Sequence, residues 1–236
     1  VSMQEVLNKS LNTGVAFVVN KVGNKTFVDY LKKLIAQKTD IDLPNEATPL
    51  IDNLKNNRDI EFVSASYGQG IAVSPISITR ALATLGNGGF LVKPHVVKEI
   101  HYEDGSVKDM TPEKGERIFS EKTSEDISRM LTKVVDDALA GGTVALPNHS
   151  IAAKTGTAQI AVKGGRGYYD DRYLHSFFGY FPSYNPKFIV FLYHTEPRGA
   201  NYASQTLTEP FMDIAKFLIN YYEIPPDRQL DNERNI

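Results

Sequence analysis

Three consecutive strand-like segments near the C-terminal end constrain the fold more than any other feature of this sequence. They cover residues 151–162, 174–181 and 187–194, and the last two are separated by the run Pro-Ser-Tyr-Asn-Pro. A five-residue connection rich in turn formers predicts an antiparallel hairpin. Apolar residues recur at helical spacing over 205–222, which predicts an amphipathic helix after the sheet. Helices before and after an antiparallel sheet define an α+β domain.

Two helices upstream of these strands have defined start signals. Ser74 followed by Pro75 predicts a helix with serine as N-cap and proline at the first helical position, ending at the glycine pair 88–89. A second helix is predicted to start with Thr123 as its cap and to end at the glycine pair 141–142.

The remaining segments give weaker patterns. Residues 1–37 have apolar positions at helical spacing and predict two or three short helices. Residues 38–66 show no sustained period and are interpreted as a long surface excursion, whereas 90–119 predict short strands around a turn at 103–106.

Composition excludes several classes of protein. The 236 residues carry a net charge of −2, so the basic surface that a nucleic-acid partner requires is not expected. Cysteine is absent, which excludes a disulfide framework, a thiolate nucleophile and a cysteine zinc site. The apolar runs are far shorter than the roughly 20 residues of a membrane span, so this chain is not expected to cross a membrane.

The sharpest local motif is Lys154-Thr155-Gly156-Thr157, within the first of the three strands. One cation and two hydroxyl donors on a strand edge suit a carboxylate ligand, and Gly156 allows another group to approach the backbone closely. A phosphate-binding loop is excluded, because it would need glycines at two positions that hold Asn148 and Ala153. Four common residues also occur together without function, so the motif needs a structural context.

A second motif, Ser10 and Asn12, places a hydroxyl and a carboxamide two residues apart at a predicted helix corner. Both residues are also ordinary helix caps, and this alternative stays open for the pair alone. The two motifs are separated by 142 residues, the difference between 154 and 12.

Together the two motifs resemble the Ser-x-Asn and Lys-Thr-Gly elements of penicillin-binding proteins and serine β-lactamases. Their spacing is similar to that of the class B penicillin-binding proteins, the monofunctional transpeptidases. Further similarity lies at residues 67–75, 81–83, 86–89, 142–145 and 175–182, so it covers nearly the whole chain. The resemblance implies a penicillin-binding/serine β-lactamase-like fold, an antiparallel sheet flanked by helices. It also implies that residues 1–236 are the C-terminal part of one transpeptidase domain, supplying the last three of five central strands.

The resemblance also implies roles for individual residues. Ser10 would relay a proton to the leaving amine, and Asn12 would bind the substrate amide. Lys154 would tune the electrostatics of that relay and attract the terminal carboxylate. The hydroxyls of Thr155 and Thr157, on either side of Gly156, would bind this carboxylate, and the Thr157 backbone N–H would be one arm of the oxyanion hole. No metal or cofactor is expected.

Two departures from the family pattern occur. Ala153 precedes Lys154 where many members have glycine, and alanine is small enough for no loss to be expected. The nucleophilic Ser-x-x-Lys motif is absent from all 236 residues, and Ser150 precedes Lys154 by four positions rather than three. The chain is therefore expected to begin after that motif, to be incomplete at its N-terminus and to be inactive in isolation.

Three functional readings remain at this point. The first is an enzyme fragment whose partners are peptidoglycan stem peptides, β-lactam antibiotics and the upstream part of the same protein. The second is a non-enzymatic β-lactam sensor or interaction module of the same fold, and the third is a β-lactamase or carboxypeptidase. The resemblance favours the first and implies a parent protein at the cell membrane, with this domain outside the cytoplasm.

Three further expectations concern geometry and behaviour. Ser10, Asn12, Lys154 and Thr157 should line one cleft, and the Ser10 hydroxyl and the Lys154 ammonium should be no more than about 8 Å apart, a distance beyond even a one-water bridge. Residues 161–172 should form a mobile flap over the substrate groove. The strand at 187–193 should be left with an unpaired edge, so the isolated chain should aggregate or pair with the upstream half.

Overall fold

The computed structural model describes residues 1–56, 58–111 and 115–228, and the chain divides into two compact units. Unit 1 is discontinuous and combines residues 1–14 with the chain from 125 onward. Unit 2 comprises residues 15–124. Both sequence motifs therefore belong to unit 1.

Seven α-helices and five strands form the described part of the chain. The helices are α1 (Met3–Asn8), α2 (Asn12–Val22), α3 (Asn24–Ile35), α4 (Asp59–Ser66), α5 (Pro75–Ala83), α6 (Glu121–Lys133) and α7 (Ala203–Tyr221). The strands are β1 (Glu99–His101), β2 (Val107–Asp109), β3 (Ala152–Ala161), β4 (Tyr168–Phe181) and β5 (Phe188–Thr195).

The sheet of unit 1 has the order β3-β4-β5, and both pairings are antiparallel. Its core lies between the sheet and α7, where Phe177 and Phe181 of β4 pack against Phe211. The Phe177 and Phe211 rings stack with their centroids 4.4 Å apart. Alternation along a strand puts Phe177 and Phe181 on the same face, so this face is the one that α7 covers.

Gly179 allows this close packing. A Cβ atom at this position would lie 2.4 Å from the Phe211 ring and 2.9 Å from the Ala153 Cβ, both closer than van der Waals contact. We expect Gly179→Ala to lower the free energy of unfolding by about 1–3 kcal/mol, the usual effect of overpacking a core. Chemical denaturation would measure it. The double variant Gly179→Ala, Phe211→Leu should recover part of the loss if the ring is the cause, and an additive loss would contradict this explanation.

Unit 2 has its own core and a small sheet. Buried apolar side chains from α2, α3, the 3₁₀ turn at Asp52–Lys55 and α4 form the core. They are Val19, Val28, Leu54, Phe62 and Ala65. Strands β1 and β2 form an antiparallel pair in which all six residues are exposed.

Most of the predicted elements are confirmed. The three C-terminal strands, the hairpin between the last two, the final helix and the strands around 103–106 are all present. Three helices occupy the first 37 residues, and α5 starts with Ser74 accepting a hydrogen bond from the Ser77 N–H at 3.2 Å. Residues 112–114 of the predicted 90–119 segment lie outside the described residues.

Three local predictions are wrong in detail. The cap of α6 is not Thr123, because the helix begins at Glu121 and the Ser120 hydroxyl accepts a hydrogen bond from the Thr123 N–H at 3.1 Å. Residues 38–66 are not one long excursion, since they contain the 3₁₀ turn and α4. The helix α5 ends at Ala83, before the predicted end at the glycine pair 88–89, and residues 84–89 form turns.

None of the helices in the described residues is both long and apolar enough to cross a bilayer.

Candidate active site

Ser10 occupies a left-handed backbone conformation at the end of α1. Its φ angle is 52°. The Leu11 N–H donates to the Val6 carbonyl at 2.9 Å, and the Ser10 N–H donates to the Leu7 carbonyl at 3.2 Å. This bond pair is the Schellman ending of a helix, in which glycine usually takes the left-handed position. The sequence therefore retains a serine where the backbone favours glycine, and strain of this kind is often found at functional sites.

Asn12 is the first residue of α2, and its exposed position follows directly from the turn at Ser10. Gly14 lets α2 start close to α1. A Cβ atom at Gly14 would lie 2.5 Å from a methyl group of the buried Val6. The missing side chain therefore lets the first turn of α2, which holds Asn12, lie close to Val6 of α1.

The structure brings Ser10 and Lys154 together. The Lys154 Nζ atom donates a hydrogen bond to the Ser10 Oγ atom at 2.9 Å, although 144 residues separate the two. It also donates to the Thr155 carbonyl at 3.0 Å. The Ser10–Lys154 distance is well below the expected limit of about 8 Å.

Burial makes Lys154 an unusual lysine. Removal of its ammonium group from water lowers its pKa from the ordinary 10.5 to about 8. Among the described residues, no carboxylate pairs with it to offset this effect. A lysine with a pKa of about 8 is charged in most molecules at neutral pH, and its pKa lies nearer to neutral pH than that of an ordinary lysine, as general acid–base catalysis favours.

The residues of the Lys-Thr-Gly-Thr motif divide between the two faces of β3. Lys154 and Gly156 point to one face, and Thr155 and Thr157 point to the face that α7 covers, because side chains alternate along a strand. In the described sheet β3 pairs only with β4, so its other edge is unpaired. A ligand at this edge could be reached by side chains from either face of the strand. The predicted close approach at Gly156 is made by the chain itself: a Cβ atom there would lie 2.6 Å from the Ser176 Oγ atom.

The Thr157 hydroxyl is fixed by the start of α7. The Ala203 N–H donates to the Thr157 Oγ1 atom at 2.9 Å. Since this bond uses a lone pair of the oxygen, the hydroxyl proton stays available for an acceptor such as a carboxylate. The side chain is exposed, so a ligand can reach it.

The chain that leads into β3 is anchored by polar groups. Asp227, which follows α7, accepts hydrogen bonds from the Ser150 N–H at 2.7 Å and from the Ser150 hydroxyl. The Ser150 Oγ atom accepts from the Ser183 N–H at 2.8 Å, and Thr132 of α6 donates to the Ser183 hydroxyl at 2.7 Å. These contacts fix the chain at Ser150, two residues before β3 begins and four residues before Lys154.

Sequence reasoning missed several of these supports. Asp227, Ser150 and Gly14 carry no recognisable motif, and only the fold shows that they contact the strands and helices that hold the site. No group of three or more histidine and acidic side chains able to hold a metal occurs among the described residues.

A Ser–Lys pair beside an open strand edge, in an antiparallel sheet backed by a C-terminal helix, defines a domain of the penicillin-binding and serine β-lactamase class. The model of the family "Penicillin binding protein transpeptidase domain" matches residues 1–216. The chain belongs to this family, within its class B branch.

Named relatives and solved structures agree with this assignment. Stage V sporulation protein D of Bacillus subtilis is 30% identical over 211 residues, which are 88% of this chain and 32% of that protein. Peptidoglycan D,D-transpeptidase FtsI of Buchnera aphidicola is 29% identical over 233 residues, 98% of this chain and 39% of that protein. Penicillin binding protein 3 of Mycobacterium tuberculosis, solved in complex with ampicillin, has a TM-score of 0.86 at 26% identity and covers 97% of this chain and 52% of its own.

The chain thus spans about a third of the length of these curated relatives.

Proposed function

We propose that this chain supplies the proton relay and the carboxylate-binding strand of a peptidoglycan D,D-transpeptidase, and that the nucleophilic serine comes from a segment outside these 236 residues. The Lys154–Ser10 hydrogen bond of 2.9 Å is the observation that carries this proposal. The absence of Ser-x-x-Lys from the sequence supports its second part. Residues 1–236 would then be the C-terminal part of a single transpeptidase domain.

The proposed reaction is acyl transfer in two steps. The serine oxygen attacks the carbonyl carbon of the penultimate D-Ala of a stem peptide, and its proton passes to the lysine of the missing motif. The C–N bond to the terminal D-Ala then breaks, and the leaving amine takes a proton relayed through the Ser10 hydroxyl. An amine from a neighbouring peptidoglycan strand then attacks the acyl carbon of the acyl-enzyme. The ester bond to the serine breaks, the amine proton goes to the serine oxygen, and the cross-link is formed.

The residues of this chain have distinct roles in these steps. The Asn12 carboxamide binds the substrate amide. The Lys154 ammonium orients the Ser10 hydroxyl and attracts the terminal carboxylate. The hydroxyls of Thr155 and Thr157 donate to that carboxylate, and the Thr157 N–H binds the oxyanion together with the N–H of the absent serine.

Penicillin binding follows from the same site. A β-lactam carries a carboxylate beside a reactive amide, so it occupies the positions of the terminal D-Ala and acylates the same serine. One relative, penicillin binding protein 3 of Mycobacterium tuberculosis, has been solved in complex with ampicillin and with aztreonam. For this chain we propose the same ligands, with the protein at the cell membrane and this domain outside the cytoplasm.

A non-enzymatic sensor or interaction module is the second candidate. It would need neither a lysine with a pKa of about 8 nor a strained serine hydrogen-bonded to it. Burying a cation without a carboxylate partner and retaining a left-handed serine both oppose folding. These features support the enzyme over the module.

Labelling with a fluorescent penicillin tests the proposal. Residues 1–236 alone are expected to give no covalent label, because removal of the nucleophile from a comparable site lowers catalysis by about 10⁶-fold. The full-length protein should be labelled, and peptide mapping should place the label outside these 236 residues. Covalent labelling of residues 1–236 alone would show that one of its own serines is the nucleophile and would overturn the proposal.

A further inference from the structure

His175 is completely buried on β4 where α7 begins, with a solvent exposure of 0%. It lies directly opposite Thr157 of β3 and opposite His194 of β5. Directly opposed residues share a face of the sheet, so the three side chains form a row across the face that α7 covers. The row has Thr157, which binds the carboxylate in the proposed function, at its open end.

The first turn of α7 is bound to this row at two points. The Ala203 N–H donates to the Thr157 Oγ1 atom at 2.9 Å, and the His175 Nδ1 atom is hydrogen-bonded to the Thr206 Oγ1 atom at 2.8 Å. Ala203 and Thr206 lie within the same helical turn. A shift of this turn away from His175 therefore also removes the Ala203 N–H from the Thr157 hydroxyl.

The surroundings of His175 disfavour its charged form. Burial lowers its pKa below the usual value, and the proximity of His194 acts in the same direction, whereas the backbone of Asn201 acts against them. The positive end of the α7 dipole adds to the repulsion. Within the described part of the chain, the Nε2 atom makes no hydrogen bond of good geometry, so the backbone of Asn201 is the one group that favours a proton on the ring.

The groups that face the imidazole come from four elements. Strand β5 contributes His194, and β4 itself contributes Tyr173, whose ring centroid lies 6.3 Å away. Strand β3 contributes the Thr157 hydroxyl, and α7 contributes the Thr206 hydroxyl. The titratable side chains among them are His194 and Tyr173, and none of these facing groups is a carboxylate.

We propose that neutral His175 is a positioning residue: it holds the first turn of α7 so that the Thr157 hydroxyl is aligned for a ligand carboxylate, and protonation of His175 releases this alignment. The proposal rests on the function proposed above. If it holds, a fall in pH weakens the binding of the ligand carboxylate and leaves the acylation step itself unchanged. Asparagine can replace the Nδ1 contact to Thr206 with an amide that does not titrate, which separates the hydrogen bond from the charge.

The test compares a fluorescent penicillin with its methyl ester in the full-length protein, from about pH 5 to 7, where Lys154 with its pKa of about 8 stays largely charged. The measured quantity is the ratio of the two second-order acylation rates. We expect this ratio to fall in the wild-type protein as the pH falls through the His175 pKa and to stay level for His175→Asn. His175→Leu should lower the ratio about tenfold at every pH, the effect of one lost hydrogen bond to a charged group. His194→Gln, at an exposed position, is the matched control and should keep the wild-type ratio at neutral pH.

Two results would overturn the proposal: an acid decline in His175→Asn equal to that of the wild type, or an unchanged ratio in a folded His175→Leu. If the wild-type protein is labelled by neither probe, the proposed function fails instead. The link between His175 and the first turn of α7 is then tested by NMR, from the chemical shift of the Ala203 amide as the pH is lowered. The proposal is rejected if this shift does not change as His175 titrates.

Discussion

Replacement of Lys154 by methionine is expected to lower the rate of penicillin acylation of the full-length protein by about 10²–10⁴-fold, the range for a group that assists proton transfer. The variant removes both the donor that orients the Ser10 hydroxyl at 2.9 Å and the cation that attracts the carboxylate. Stopped-flow or gel-based measurement of the second-order rate constant would give the effect. The loss should be larger for penicillin than for its methyl ester, because only the acid form uses the cation.

Lys154→Met is expected to lower the activity but to raise the stability of the folded protein. The Lys154 pKa of about 8 in the folded protein lies below the ordinary 10.5, so folding favours the neutral amine. This penalty on the charged form is absent above about pH 10.5, grows as the pH falls from about 10.5 to about 8, and is complete below about pH 8. Lys154→Met should therefore unfold at a higher temperature than the wild type at pH 7.

Lys154→Arg is the matched control. It keeps the charge but cannot lose a proton at neutral pH, and its planar donors do not reproduce a single Nζ contact. It should retain part of the preference for the acid over the ester while losing most of the rate. Wild-type rates in both variants would exclude Lys154 from the reaction. A lower unfolding temperature in Lys154→Met would instead mean that the lysine is paired in the folded protein.

Ser10→Gly and Ser10→Ala are expected to lose activity equally but to differ in stability. Both remove the relay hydroxyl, so acylation should fall by about 10²–10⁴-fold in each. Glycine relieves the left-handed strain at φ 52°, whereas alanine retains it. Ser10→Gly should therefore be more stable than Ser10→Ala by about 1 kcal/mol, the cost of left-handed backbone for a residue with a side chain.

Paired denaturation curves and rate constants separate the two effects. Lys9→Ala is the neighbouring control, because it removes only an exposed ion pair to Glu5 with a distance of 3.5 Å. Surface pairs of this kind contribute about 0–1 kcal/mol, so this variant should keep its acylation rate and nearly all of its stability. A Ser10→Gly protein that acylates at the wild-type rate would remove Ser10 from the proposed relay.

The sequence predicted the proximity of Ser10 and Lys154 but not the residues that hold them in place, and the catalytic roles of the site residues stay predictions. Ser10, Asn12 and the motif starting at Lys154 could be selected because a proton relay and a carboxylate clamp need those side chains, and the family resemblance joined them across the chain. The left-handed turn at Ser10 was not predicted, since glycine is the usual signal for it. The roles of Ala203 and Asp227 depend on tertiary contacts that leave no local pattern.

Errors in the secondary structure have equally local causes. Ser120 and Thr123 are both good N-caps, and their three-residue offset gave a predicted helix start three residues too late. The strand β4 starts at Tyr168 rather than near residue 174, because its pairing with β3 continues through Gln159 and Ala161. The predicted flap at 161–172 is therefore reduced to residues 162–167 between the strands, and its mobility remains a prediction.

The discontinuous make-up of unit 1 has a consequence for how such proteins can vary. Its two parts flank 110 residues, those numbered 15 to 124, and they are joined by contacts of their own: Lys154 with Ser10, and the Gln4 side chain with the Met130 carbonyl at 3.0 Å. The entropy of closing a connection rises only with the logarithm of its length, by about 0.6 kcal/mol for each doubling. A change in the length of the segment 15–124 should therefore cost little in loop-closure entropy, because the two hydrogen-bonded contacts within unit 1 hold its two parts together.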